Sequence, residues 1–215
     1  MAVKSSFKNM TICLFAICLV CSALLAGVYA LTAEPIAAAA ASKNEAAIKE
    51  VLPDAAVTIE EERTVEMNGL TYAYNLAYDA EGNTVGCAVN VTTLGFGGPI
   101  VIKVGFDVEG NIWNTKVLSQ SETPGLGAKC TEAAFAEQFK GFNPTEKKLS
   151  VKKDGGDIDA ITASTITSRA YTSGVALAVM VHAAIAGTPV HLDAATGASS
   201  TDWNHSSESS SESNK

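Results

Sequence analysis

Tyr72-Ala73-Tyr74-Asn75-Leu76-Ala77-Tyr78, then Asp79-Ala80-Glu81-Gly82-Asn83, then Thr84-Val85-Gly86-Cys87-Ala88-Val89-Asn90-Val91: these consecutive segments decide how the chain folds. The flanking runs are rich in aromatic and β-branched residues that suit a pleated, half-buried surface, and the glycine between them permits a reversal. The pattern recurs in Ile100 to Phe106, Asp107-Val108-Glu109-Gly110-Asn111 and Ile112 to Leu118. Each set reads as a β-hairpin. The shared D-x-E-G-N is one turn solution used twice, since two copies do not make a solenoid. An antiparallel sheet is expected.

The segments that follow read as helices able to cover that sheet. Phe135 and Phe139 stand four residues apart on a helix, a strand-like piece spans Leu149 to Lys152, and Asp154-Gly155-Gly156 leads on to a long helix. That helix is expected from near Thr165 to about Ala186, ended by Gly187 and Pro189. The apolar run Val175 to Ala186 raises the question of a membrane span. It is short, Ala-rich and interrupted by His182, so it reads as a core helix packed on the sheet. The fold class expected is α+β, an antiparallel sheet packed with helices.

Upstream, no charged residue occurs from Met10 to Leu31, and Lys4 and Lys8 precede this stretch. It has the roughly 20 apolar residues needed to cross a bilayer. Basic residues stay on the cytoplasmic side, which places the rest of the chain outside. A cleaved signal peptide is the rival reading, with Gly27-Val28-Tyr29-Ala30 as a weak cleavage site, but the apolar stretch exceeds the usual length. A lipoprotein is disfavoured because Val20 precedes Cys21. The organisation expected is a cytoplasmic N-terminus (1–9), a transmembrane helix (10–31), an Ala-rich linker (32–41), an exported domain (42–198) and a polar tail (199–215). Ser42 and Glu45 form an S-x-x-E capping box that opens the domain with a short helix stopped before Pro53.

The chain has 15 basic and 23 acidic residues, and the two leader lysines leave the exported part more acidic still. Nucleic acid is excluded as a partner on this balance. Cys13, Cys18 and Cys21 lie in the anchor. Cys87 and Cys130 are far apart without C-x-x-C spacing, so no metal site is expected, and they read as two small buried hydrophobes or as a disulfide formed in an oxidising exterior. His182, His191 and His205 have no evident catalytic partner, and no nucleophile elbow, phosphate loop, zinc helix or dinucleotide fingerprint occurs.

Two segments carry candidate chemistry. In Asp159-Ala160-Ile161-Thr162-Ala163-Ser164-Thr165-Ile166-Thr167-Ser168-Arg169 a cluster of hydroxyls enters the long helix, where free N–H groups and the positive dipole end favour a phosphate. The plain alternative is that Thr162, Ser164 and Thr165 only offer N-caps. In Ser121-Glu122-Thr123-Pro124-Gly125-Leu126-Gly127-Ala128-Lys129, a Pro-Gly-x-Gly loop can bring backbone close to a planar ring. Read blandly, it is a rigid turn with a solvated lysine.

The first segment resembles the flavinylation motif D-x-x-[S/T]-G-A-[S/T]-x-[T/S] of the FMN-binding-domain family. That family includes the G subunit of Rnf-type complexes and the related C subunit of the sodium-pumping NADH:quinone reductase. The second segment is similar to the S-E-T-P-G-L-G-x-K loop of the Rnf-type member, and Gly95-Phe96-Gly97-Gly98-Pro99-Ile100 resembles the family's glycine-rich lead into a strand. This chain departs at Ala163, in the family's glycine position, and at Ser164, in place of its alanine. The resemblance implies an FMN joined by a phosphoester to Thr167, with Ser164, Thr165, Ile166 and Ser168 around the attachment. It further implies Glu122, Thr123, Gly125, Leu126, Gly127 and Lys129 near the flavin, with Glu122 and Thr123 at the ring edge and Lys129 offsetting negative charge on the reduced ring.

The function implied is that of a covalent-FMN electron carrier in a membrane-bound, ion-translocating oxidoreductase of Rnf type, coupling ferredoxin:NAD chemistry to Na+ or H+ transport. The chain then needs no catalytic acid, base or nucleophile of its own. Its implied partners are the other membrane and redox subunits and a flavin transferase that installs the cofactor. Outside the cytoplasm a covalent bond keeps FMN from being lost to dilution. Two other readings stand beside this one. The chain could be the C subunit of a Na+-translocating NADH:quinone reductase, disfavoured by its compactness and its S-E-T-P-G-L-G loop, or a membrane-tethered binding module without cofactor.

Overall fold

The computed structural model describes residues 7–187. Lys4, Pro189, His191, His205 and the polar tail expected over 199–215 lie outside the described residues. The chain divides into two compact units with the boundary between Glu45 and Ala46.

Within the first unit every described residue up to Glu45 belongs to helix α1, which spans Phe7–Val51. From Phe7 to Leu31 its large apolar side chains are exposed on all sides, the pattern of a helix whose solvent is lipid. It is long and apolar enough to cross a membrane. Thr11 and Thr32 donate their hydroxyls to the carbonyls of Phe7 and Val28, at 3.0 and 2.8 Å, so neither polar group is left unmet in an apolar medium.

The linker and capping box expected after residue 31 are not realised: the helix continues through Ala33 to Ala41 and through Ser42 and Glu45. The physical reason is that alanine is the strongest helix former, so the run Ala37 to Ala41 extends a helix already nucleated. Even Pro35 lies inside it. The helix does stop ahead of Pro53, as expected.

The second unit is built on a six-stranded antiparallel sheet in the order β1-β3-β4-β5-β6, with β2 also paired to β3. The strands are β1 (Thr58–Ile59), β2 (Arg63–Met67), β3 (Leu70–Tyr78), β4 (Thr84–Leu94), β5 (Pro99–Phe106) and β6 (Ile112–Gln120). The two D-x-E-G-N turns close in the same way. Asp79 accepts from the backbone N–H of Asn83 at 2.8 Å and Asp107 from that of Asn111 at 2.8 Å, with Gly82 and Gly110 at φ 86° and 84°. Two hairpins beyond the two expected join β2 to β3 and, through residues 95–98, β4 to β5. Asn68 and Gly69 sit at φ 54° and 74°, the left-handed pair that a two-residue turn requires and that Asn-Gly favours.

Helix α3 (Thr165–Ala186) lies on one sheet face, as expected, and Gly187 ends it at φ 69°. The core holds Val89 and Val91 of β4, Ile100, Ile102 and Val104 of β5, and Val175, Ala178 and Val179 of α3. Tyr171 is fully buried, donates to Thr115 Oγ1 at 2.9 Å and meets the rings of Phe135 and Phe139 at 5.2 and 5.0 Å. Those two phenylalanines ride on a short helix α2 (Ala133–Ala136) and the 3-10 turn after it rather than on one regular helix. The strand expected over Leu149 to Lys152 is only a single parallel bridge, Val151 to Ile158, followed by a 3-10 turn at Lys152–Asp154. The chain turns at once into that 3-10 helix, which closes on Gly155 at φ 76°.

The other sheet face carries a smaller cluster of Ile48, Val51, Leu52, Ala77 and Ala88. Lys103 is fully buried, its Nζ donating to Asn75 Oδ1 at 3.3 Å. Cys87 and Cys130 are buried free thiols.

Candidate functional site

The site forms where the start of α3 meets two loops at the sheet's end. The chain turns into α3 at Ala163, φ 61°, and Ser164 serves as N-cap residue without a capping hydrogen bond from its side chain. Instead Ser168 braces the turn: its Oγ donates to the Ser164 carbonyl and accepts from the Ile161 N–H, both at 2.9 Å. The capping use of these hydroxyls is therefore not what organises the helix start, and its first N–H groups keep no side-chain cap. Thr165 Oγ1 accepts from Lys153 Nζ at 3.1 Å, bringing a cation to the same end.

Within the first turn of α3, the Thr167 side chain is 1% exposed, and Oγ1 donates to Glu122 Oε2 at 3.0 Å. Glu122 is itself buried. Its Oε1 accepts from the Gly97 N–H at 3.2 Å, and its backbone N–H donates to Gln120 Oε1 at 2.5 Å. Glycines make room for the pair. A Cβ on Gly127 would lie 2.2 Å from Glu122 Oε2 and 2.7 Å from Thr167 Oγ1, and one on Gly95 would lie 2.0 Å from Glu122 Oε1. No larger residue fits at either position without displacing the carboxylate. Three stretches separated in sequence, 95–98, 121–127 and 164–168, thus close on one buried hydroxyl and carboxylate.

Three apolar residues in these same stretches are exposed. Phe96, between two glycines at the carboxylate, Leu126, next to Gly127, and Ile166, next to Thr167, are 72%, 44% and 44% exposed. Such groups can cover a planar aromatic ring, with a phosphate toward the helix start and Lys153. On this observation the residues present fit an FMN: a hydroxyl to esterify, uncapped N–H groups and a cation for the phosphate, and exposed apolar groups for the ring.

Of the residues singled out in the sequence, the fold brings Glu122, Gly127 and Thr167 together, with Ser164 and Ser168 in the turn beneath them. Thr123, Gly125 and Lys129 stand on the exposed side of the loop. The Thr123 carbonyl holds that loop by accepting from the N–H groups of Leu126 and Ala128, each at 3.2 Å. Ser168 spends its hydroxyl on the backbone, as described. Cys130 lies behind Glu122. Burial, and then the Glu122 charge, push its thiol up to about 11, so it is a neutral packing group. Among the described residues no group of three His, Cys, Asp or Glu side chains could hold a metal ion.

Gln120 and Lys153 join this region without having been singled out in the sequence, and Gly97 and Asp154, quoted there only as parts of a glycine-rich lead and of a turn, gain specific partners here. Asp154 receives Arg169 through two hydrogen bonds of 2.7 and 2.6 Å, and the guanidinium holds its carboxyl below the usual range. The Gly-rich run at 95–98 is a usable signal for Gly97. Nothing in the spacing of Lys153 or Asp154 points to α3.

Residues 95–180 match the family model described as FMN-binding domain, and residues 1–51 the one described as RnfG N-terminal region. The G subunit of the ion-translocating oxidoreductase complex of Methanosarcina acetivorans is 35% identical over 166 residues, covering 74% of this chain and 86% of that protein. The G subunit of the Na(+)-translocating ferredoxin:NAD(+) oxidoreductase complex of Acetobacterium woodii is 38% identical over 108 residues, covering 48% of this chain and 52% of that protein. The chain spans about half the length of several of the curated relatives it matches. Among solved structures, the C subunit of the Na(+)-translocating NADH-quinone reductase of Parabacteroides distasonis aligns at TM-score 0.43 and 23% identity, covering 65% of this chain and 81% of that one.

Proposed function

The chain belongs to the family of G subunits of ion-translocating oxidoreductase complexes, and from that premise we propose that it is the electron-carrying member of such a complex, with FMN joined by a phosphoester to Thr167. The observation that carries this reading is the 3.0 Å contact between Thr167 and Glu122. Two segments singled out independently in the sequence meet there, atom to atom, at a helix start suited to a phosphate. A cofactor-free binding module gives no reason for that meeting. The match of residues 1–51 to the RnfG N-terminal region favours this family over the C subunit of a quinone reductase.

When bound, FMN supplies a centre that accepts and passes single electrons. The protein's part is to hold and tune it. Thr167 fixes the phosphate, and the α3 N–H groups and Lys153 offset its charge. Phe96, Leu126 and Ile166 keep water from the ring, and Thr123 and Lys129 offer polar contacts at its rim. The partners proposed are the other redox and membrane subunits and a flavin transferase. The parent reaction is of the class named for the Acetobacterium woodii relative, electron transfer from ferredoxin to NAD(+) coupled to cation transport.

Helix α1 anchors the chain, and Lys4 ahead of it and Lys8 in its first turn put the domain outside the cytoplasmic membrane. Protease added to intact spheroplasts should digest the domain while a cytoplasmic control survives; protection of both contradicts this topology. The cofactor assignment is tested by the intact mass of chain co-expressed with a flavin transferase. One FMN phosphoester per chain is expected, and an unmodified mass contradicts it.

A further inference from the structure

A threonine hydroxyl is a weak nucleophile and must shed its proton as its oxygen bonds to phosphorus. In this fold Thr167 Oγ1 already directs that proton to a carboxylate oxygen, Glu122 Oε2, at 3.0 Å. This is the separation at which a side chain acts as general base. The carboxylate is not free to wander. Oε1 is held by the Gly97 N–H, the Glu122 N–H is held by Gln120 Oε1, and the glycines at 95 and 127 leave just the space it fills. Other ionisable groups are poorly suited. Cys130 stays protonated up to about 11, and His182 is 15 positions along α3, stacked on Phe106 at a ring separation of 4.5 Å.

We propose that Glu122 is the general base for attachment of the cofactor to this chain: it takes the Thr167 proton as the hydroxyl attacks the flavin phosphate. This rests on the reading of Thr167 as the attachment point. The donor must carry a leaving group on phosphorus, which identifies its class as a flavin whose phosphate is held in a pyrophosphate link. The Thr167 Oγ1–P bond forms and the bridging P–O bond on the leaving side breaks. The departing phosphate takes the bridging oxygen with its electron pair, the proton goes to Glu122, and nothing is oxidised or reduced. The chain therefore brings its own base, and the transferase need only present the dinucleotide and neutralise its phosphates. Because Thr167 is 1% exposed, the site must open locally for the donor to enter, and the Thr167–Glu122 contact must survive that opening.

The test is the rate at which purified full-length chain in detergent gains the FMN mass increment from flavin adenine dinucleotide and a flavin transferase. Wild type, Glu122→Gln and Glu122→Asp are compared, each checked for folding by its thermal melt. Glu122→Gln keeps the shape and an acceptor for Gly97 but cannot take the proton, and its rate should fall by about 100-fold or more. Glu122→Asp should recover part of that loss. A wild-type rate in Glu122→Gln, or equal rates in the two variants, overturns the proposal. Should the amide variant not fold, Glu122→Ala is assayed with added formate: a rate rising with formate supports the base, and a formate-independent rate overturns it. If wild type itself gains no flavin on Thr167, it is the attachment reading that fails.

Discussion

Thr167 and Glu122, 45 residues apart in sequence, are joined by a hydrogen bond of 3.0 Å between buried side chains. The bond ties the first turn of α3 to the loop after β6, so the hydroxyl proposed to carry the cofactor is held by the loop proposed to line it. The space they share is defined by absent side chains, and there the site is most sensitive to mutation.

Gly127→Ala places a methyl 2.2 Å from Glu122 Oε2 and 2.7 Å from Thr167 Oγ1. The carboxylate must leave its position, so flavin occupancy after co-expression with a transferase should drop well below wild type while the fold survives. In-gel flavin fluorescence, with a thermal melt alongside, checks this. Full occupancy would show that the Glu122 placement is immaterial.

Ala163 occupies a left-handed conformation, φ 61°, which costs an alanine about 1–2 kcal/mol and a glycine little. Ala163→Gly should raise stability by roughly 1 kcal/mol in a denaturant titration. A neutral or destabilising result would mean that the turn holds no strain.

His182 stacks on Phe106, and burial lowers its pKa from 6.5, with Asp107 opposing. The unfolded chain takes up the proton first as pH falls. The stability conferred by neutral His182 is thus complete above 6.5 and is lost as pH drops from there toward the lower folded value. His182→Phe keeps a ring on Phe106 and removes the titration. The wild-type melting temperature should fall as pH drops below 6.5 and that of the variant should fall less. Parallel curves would count against a role for His182.

Lys103 is fully buried, with Asn75 at 3.3 Å, and burial pushes its ammonium down to about 8 from 10.5. At neutral pH its charge costs stability, a cost relieved as pH rises through about 8. Lys103→Met should stabilise the fold by about 1–3 kcal/mol near neutrality and abolish that rise. Destabilisation in a denaturant titration would indicate that the Lys103 charge is favourably held.

The sheet is legible because the D-x-E-G-N turns carry their own chemistry: Asp79 and Asp107 close the same backbone bonds in both hairpins. Asn68-Gly69 carries an equally local signal for the β2–β3 hairpin, but Arg63 to Met67 is polar and sits toward the edge, so its strand pattern is weak. The linker expectation fails at Ala37 to Ala41, where composition suggests a spacer but helix propensity decides. At the site, Glu122, Gly127 and Thr167 are readable as motif residues, yet nothing in the sequence pairs the threonine with the carboxylate. That pairing depends on the register of β5 and β6 and on how far along the sheet α3 starts. Lys153 and Gln120 are illegible because a single lysine or glutamine in a polar stretch has no pattern.

The most direct test of Thr167 as the attachment point is peptide mapping of full-length chain co-expressed with a flavin transferase, wild type against Thr167→Ala. The peptide containing Thr167 should carry the FMN mass increment in wild type with the phosphate on that side chain. Thr167→Ala should fold and carry none, although Thr162, Ser164, Thr165 and Ser168 remain. FMN found on any of these in wild type, or full flavinylation of Thr167→Ala, would contradict the assignment of Thr167.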